Sequence, residues 1–354
     1  MRDLERLAAE LRAGKINRFD FLRGAAGLGL SAAAAASVLD PLNAMGVMAA
    51  ARPNPNHTPA HPPKKAKYLI GFSQSELNNP WRTAESDSMA AEAKKRASRY
   101  GYIQTVANSD THKQVSDVGD LIARKCDLIV LTPREKDPLR AATNRALAAG
   151  VPVIEIDRTS TGKPGVDYVC AIESNFMSQG KKVANWMVRN THGTIRYVEL
   201  RGSTGASPAI DRHNGFHMVI DKYPRFHMLD SQDGDFVLST AKRIMTNWIT
   251  RFGSKIDMVY AHNDAMAVGA WQAMREAGFT KKVYIGTIDG WKTAIQYVAK
   301  GDFSICVQSN PHFGPITFDT IDMYFAAKAI PLQITIQDHT YLRSNAASLL
   351  STGF

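Results

Sequence analysis

Cysteine is scarce in this chain: Cys126, Cys170 and Cys306 are the only three in 354 residues. Three widely spaced thiols exclude a disulfide-built scaffold and supply no C-x-x-C metal pair. Buried free thiols are the simplest reading. A disulfide between Cys170 and Cys306 is the alternative, since both lie in apolar runs. The ten histidines show no zinc-site spacing, so neither a metal nor a cofactor is expected. There is no nucleophile elbow with Ser, His and Asp partners, and the carboxylates that a glycosidase would pair are scattered along the chain. The turn around Gly202 and Gly205 fits neither a P-loop nor a G-x-G-x-x-G cradle. Beyond about Lys64 no apolar run is long enough to cross a bilayer. Positive charge is in excess, +10 formally. It is interleaved with Asp and Glu rather than gathered, which argues against nucleic acid as a partner.

The length exceeds what one hydrophobic core serves, so two domains are expected. Residues 1–51 read as an export signal. A start rich in Arg and Lys (Arg2, Arg6, Arg12, Lys15, Arg18, Arg23) runs into an Ala-rich apolar stretch, and Ala49 and Ala51 form an A-x-A cleavage pattern. The segment INRFDFLRG, Ile16 to Gly24, resembles a twin-arginine signal with Phe19 in place of the second Arg. The alternative is a cytosolic amphipathic helix at Leu4 to Leu11 followed by an Ala-rich linker. Residues 52–66 contain five prolines and no apolar periodicity, the composition of a flexible leader.

From Ala66 short β-rich runs alternate with helical segments, the pattern of βαβ units on a parallel sheet. Strands are expected at residues 68–73, 102–107, 128–131, 152–156 and 168–172, with a first helix reaching from Pro80 to Tyr100. The pattern then restarts, with strands expected at 194–200, 226–232, 258–261, 283–287 and 303–308. A last helix at 313–326 is placed to cross back onto the first unit. The fold class is therefore α/β, with two similar doubly wound parallel-sheet lobes.

Several short strings fall just past apolar runs, where an open parallel sheet places its ligand groups. They are NNPWR at Asn78 to Arg82, IDR at Ile156 to Arg158, AIDR at Ala209 to Arg212, HND at His262 to Asp264 and IDG at Ile288 to Gly290. Trp81 taken alone is a core anchor. Beside Asn78, Asn79 and Arg82 it becomes an aromatic in a polar turn, suited to stack on the C–H face of a sugar while its neighbours bond the hydroxyls. Asp157 and Arg158 form either a surface salt bridge of little worth or a carboxylate and a guanidinium fork aimed at a polyol. Asn263 or Asp264 caps the helix that follows. Asp289 and Gln308 end strands, and Phe236 follows the turn SQDGD. The combination describes a polar cleft with the chemistry of a sugar site.

From about Lys67 to Leu342 these strings resemble the ribose- and galactose-type periplasmic sugar-binding proteins, soluble receptors of ABC importers. FSQ, the W-R-x-A-E run from Trp81 to Glu85, GASPAIDR, QDGDF, VYAHND and IDG look most like the galactofuranose-binding branch. The resemblance implies a sugar cleft lined by Asn79, Trp81, Arg82, Asp157, Arg158, Arg212, Phe236, Asn263, Asp289 and Gln308. It implies a three-stranded hinge that divides the chain into an amino-terminal lobe, 67–173 plus 309–337, and a carboxy-terminal lobe, 174–308 plus 338–354. It also implies a monomer that closes on a monosaccharide in the periplasm and delivers it to a membrane permease, without catalysis. Ribose receptors carry a second aromatic where Arg82 stands, so a ligand richer in exposed hydroxyls is expected. A lac-repressor-like regulator shares the two-lobe fold, but the Ala-rich stretch lacks the polar recognition helix it needs.

Overall fold

The apolar runs become the buried centres of two parallel sheets. A computed structural model describes residues 67–354, together with Arg6; the expected export signal and leader otherwise lie outside the described residues. The first sheet comprises β1 (Tyr68–Gln74), β2 (Tyr100–Val106), β3 (Leu128–Leu131), β4 (Val153–Ile156), β5 (Ala171–Ser174) and β11 (Gln333–Ile336), in the order β11-β5-β4-β3-β1-β2. The second comprises β6 (Ile195–Arg201), β7 (Phe226–Asp233), β8 (Met258–Ala261), β9 (Tyr284–Asp289), β10 (Ile305–Gln308) and β12 (Thr340–Tyr341), in the order β12-β10-β9-β8-β6-β7. Every pairing is parallel except that of β10 with β12. Each sheet therefore repeats one doubly wound order and reverses direction beside its first strand, the place where such sheets hold ligands.

Helices α1 (Pro80–Lys95), α2 (Thr111–Ala123) and α3 (Lys136–Ala148) belong to the first lobe. Helices α4 (Phe176–Asn190), α5 (Ser207–Ile220), α6 (Leu238–Phe252), α7 (Asp264–Glu276) and α8 (Lys292–Lys300) belong to the second. Helix α9 (Gly314–Phe325) returns to pack on α1. Gly314 permits that approach: its N–H donates to Ser88 Oγ at 3.0 Å, and a Cβ there would lie 2.2 Å from the Ser88 carbonyl oxygen.

The strands are short and apolar because helices cover both their faces. In β3, Leu128 and Val130 enter one core while Ile129 and Leu131 enter the other. Each such side chain contributes about 1.5–3 kcal/mol by leaving water. The first helix stops at Lys95 rather than reaching Tyr100, which opens β2. Tertiary packing decides this: the Tyr100 ring meets Phe318 and Phe325 of α9, and its hydroxyl bonds Asp322 at 2.5 Å. All three cysteines are buried and free. Cys170 lies in a core of the first lobe and Cys306 in a core of the second, which excludes the alternative of a disulfide between them.

The chain passes between the sheets three times: after β5, after β10, and between β11 and β12. One carboxylate and one amide tie these passages together. Asp338 accepts from Ser174 Oγ at 3.0 Å and from Gln179 Nε2 at 2.8 Å, and Gln179 Nε2 also donates to the Gln308 carbonyl at 3.1 Å.

Candidate functional site

A cavity lies between the lobes. Asn79, Trp81, Arg82, Asp157 and Arg158 line it from the first lobe, and Pro208, Arg212, Phe236, Asn263 and Asp289 from the second.

The first-lobe wall starts with a helix cap. Pro80 at the first helical position and the Asn79 side chain, which accepts from the Arg82 N–H at 3.1 Å, start α1 just past β1. Trp81 is thereby held with its Nε1 donating to the Ser309 carbonyl at 2.6 Å and its ring edge-on to Phe313. The Arg82 guanidinium lies 4.7 Å from the Trp81 ring centroid. It donates to Glu85 at 2.7 Å, to Asp157 at 2.6 Å and to Thr132 Oγ1 at 3.1 Å, with Glu76 3.4 Å away. Arg158 donates to Glu76 at 2.7 Å.

Burial strains this wall electrostatically, and the pairing decides which groups stay charged. For Glu76 burial works upward, but Arg158, Arg82 and Arg134 outweigh it and hold the carboxyl at about 2. For Glu85 burial wins over Arg82 and, with the Asp157 charge adding to it, pushes the carboxyl up to about 7. Burial, helped by the neighbouring Arg82, moves Arg158 down. The Nε of Arg158 is buried with no hydrogen-bond partner among the described residues, and the Asp157 carboxylate stands 3.9 Å from it. An unmet donor of this kind is costly unless something in the cleft accepts from it.

The second-lobe wall is built from strand ends and one helix. Arg212, within α5, donates to Gln179 Oε1 at 2.9 Å, to the His262 carbonyl at 2.7 Å and to Asp289 at 3.3 Å. Through Gln179 it is wired to the interlobe passages. Asn263 caps α7 by accepting from the Met266 N–H at 2.9 Å and turns its amide to the Phe236 carbonyl at 3.1 Å. Burial pushes the Asp289 carboxyl well above its ordinary range despite Arg212. Gly202 makes room for Phe236, since a Cβ there would lie 1.9 Å from the ring. Three lining residues that are not glycine have positive φ: Asp157 at 58°, Phe236 at 62° and Asp289 at 134°. Such strain concentrates where side chains must be aimed.

The lobes meet around the cavity. The Lys136 N–H donates to the Gly205 carbonyl at 3.0 Å and the Thr159 N–H to Ser207 Oγ at 3.1 Å. The Arg158 guanidinium of one lobe lies 5.5 Å from the Phe236 ring centroid of the other. This is a closed cleft.

Nine of the ten residues singled out in the sequence surround the cavity, and Gln308 does not. Both ends of its amide are engaged, Nε2 by the Thr352 carbonyl at 2.8 Å and Oε1 by the His339 N–H at 3.1 Å, so it fastens β10 to the returning chain. Sequence reasoning missed Pro208, the bracing carboxylates Glu76 and Glu85, and Gln179. Glu85 carried a signal, being an acidic residue on the helix face that Trp81 and Met89 bury.

Two sheets of one winding order, crossed three times and closed over a polar cleft, define a bilobal binding protein. The chain belongs to the periplasmic binding protein domain family, whose pattern matches residues 70–329. It is similar to the galactofuranose-binding protein of Escherichia coli (strain K12), 32% identical over 289 residues that cover 79% of this chain and 90% of that protein. The ribose import binding protein of Bacillus subtilis (strain 168) is 30% identical over 279 residues, 78% of this chain and 88% of that one. The crystal structure of a galactofuranose binding protein superposes with a TM-score of 0.77 at 29% identity, covering 81% of this chain and 98% of the other.

Proposed function

We propose that this chain is the exported receptor of a sugar ABC importer, and that it captures a monosaccharide of the galactofuranose kind between its lobes. The observation that carries this reading is the composition of the closed cleft. Trp81 and Phe236 come from opposite lobes, and three guanidiniums, two carboxylates and two amides join them around one cavity. All of the lining side chains are buried, which suits a single enclosed sugar ring rather than an oligosaccharide. The names of the E. coli and B. subtilis relatives, which bind galactofuranose and ribose, support the same class.

Binding and closure are one event in this reading, the hinge motion of periplasmic binding proteins. Sugar hydroxyls bridge the groups of the two lobes, and closure withdraws those groups from water. A sugar lacking one hydroxyl leaves a buried partner unpaired at about 1–3 kcal/mol, enough to select among sugars. Arg158 Nε is the donor still to be met, and Arg212 carries the ligand's presence through Gln179 toward the passages. Three of the five N–H donors of Arg82 are engaged by Glu85, Thr132 and Asp157. Its part is to hold Asp157 toward the ligand. The receptor works as a monomer, binds without turnover and hands its sugar to a membrane permease.

Calorimetric titration of the chain from about Arg52 onward with galactofuranose, galactopyranose, arabinose and ribose tests the proposal. One-site binding that is tight for the furanose supports it. Tight ribose binding without galactofuranose binding overturns the ligand. Recovery of uncleaved cytosolic protein that binds duplex DNA, or turnover of a synthetic glycoside, overturns the class.

A further inference from the structure

The second lobe holds a polar cluster that takes no part in the cleft. His213 and His217 lie one turn apart on α5, and both rings reach the carboxylate of Glu199 on β6. His213 Nδ1 is 3.0 and 3.1 Å from the two Glu199 oxygens, and His217 Nε2 is 3.5 Å from one of them. One ligand atom from each residue falls within 4.8 Å of the others. A tetrahedral zinc ion with bonds of about 2.0–2.2 Å has ligand-to-ligand edges of about 3.3 Å, close to the two shorter separations here. Reading the histidines as unclustered overlooked the four-residue spacing that places two imidazoles on one helix face.

We propose that Glu199, His213 and His217 form a transition-metal site of the zinc type. The surroundings are those of a metal centre. His217 turns its other nitrogen, Nδ1, to Asp221 at 2.9 Å, the carboxylate–histidine arrangement that orients an imidazole toward a metal. The Glu199 carboxylate is aimed by Ser231 Oγ at 2.9 Å and by His262 Nε2 at 3.0 Å. Two imidazoles with one carboxylate suit zinc and its neighbours and not calcium or magnesium, which take oxygen sets. Glu199 is fully buried while the His213 side chain is 33% exposed, so an ion can enter from solvent and keep a water as its fourth ligand.

The test is zinc titration of the tag-free full chain against a chromophoric chelator, alongside the His213→Gln/His217→Gln variant. One equivalent of zinc held about 100-fold more tightly by the wild type is expected, with Asp221→Asn weakening the site about 10- to 100-fold. Cobalt in place of zinc should give the visible absorption of a tetrahedral ion in the wild type alone. Equal zinc affinity in wild type and double variant overturns the proposal, and so does calcium displacing the zinc. Circular dichroism confirms that the variants fold. Should the double variant not fold, His213→Ala at the partly exposed ligand makes the same comparison. None of these readouts depends on sugar binding.

Discussion

Replacing Arg82 with methionine keeps the length of the side chain and removes its charge from a wall that contains Glu76, Glu85 and Asp157. Glu76 retains Arg158 and Arg134. Glu85 and Asp157 lose hydrogen bonds of 2.7 and 2.6 Å, and both are buried. Two charge-assisted bonds at about 1.5–3 kcal/mol each, or the removal of one member of a buried ion cluster at about 3–5 kcal/mol, give concordant figures. Stability should therefore fall by about 3–5 kcal/mol at pH 8. The pH dependence carries the diagnosis. Burial already raises the Glu85 carboxyl to about 7 against the pull of Arg82, and without that pull it rises further. At pH 5.5 the carboxyl is neutral with or without Arg82, so the loss shrinks; at pH 8 it ionises beside Arg82 in the wild type, whereas in the variant, with only the Gln74 amide left as partner, it stays protonated against the pH, so the loss is larger. Urea titrations followed by tryptophan fluorescence at the two pH values measure the difference. A loss of equal size at both, or a Glu85→Gln change that fails to reduce the loss at pH 8, would refute the reasoning.

Gly202→Ala should cost at least tenfold in sugar affinity, about 1.4 kcal/mol, because the new methyl displaces the Phe236 ring; calorimetry showing unchanged affinity would remove Phe236 from the ligand wall. Glu155 is buried under α3, where burial outweighs hydrogen bonds from Ser160 and Thr143 and raises its carboxyl to about 7. Its folded value lies above the unfolded one near 4.5, so its contribution is fully present below about pH 4.5 and is lost as pH rises toward 7. Glu155→Gln should abolish that decline and gain about 3 kcal/mol at pH 8, from 1.36 kcal/mol per pH unit; an unchanged stability profile would contradict this. Gln308→Ala deletes two hydrogen bonds at about 0.5–1.5 kcal/mol each and should weaken all four sugars by one common factor. A changed rank order among the sugars would place Gln308 on the ligand instead.

The repeated alternation of strand and helix was legible because it is local. Leu128 to Leu131 and Met258 to Ala261 are apolar on both faces, and that composition suits a strand buried between helices. The strand-end strings were legible for a related reason. A polar residue just past a buried strand sits at the carboxyl edge of its sheet whatever the rest of the chain does. Gln308 met the same criterion and is engaged elsewhere, because its partners His339 and Thr352 arrive on segments 31 and 44 residues away. The short strands β11 and β12 went unseen, being edge strands of mixed polarity whose only strand-like property is the neighbour they pair with.

Residue order by itself determined two α/β units, their winding and the polar residues at their strand ends, since hydrophobic period and capping act over one or two turns of chain. Tertiary structure alone decided that Arg82 braces Asp157, that Glu76 stays ionised while Glu85 is pushed toward neutrality, and that Glu199 meets two histidines. These outcomes depend on burial and on charge separations of a few ångströms. Both are set by how the three interlobe passages and the sheet faces bring distant segments together, and sequence spacing does not encode them.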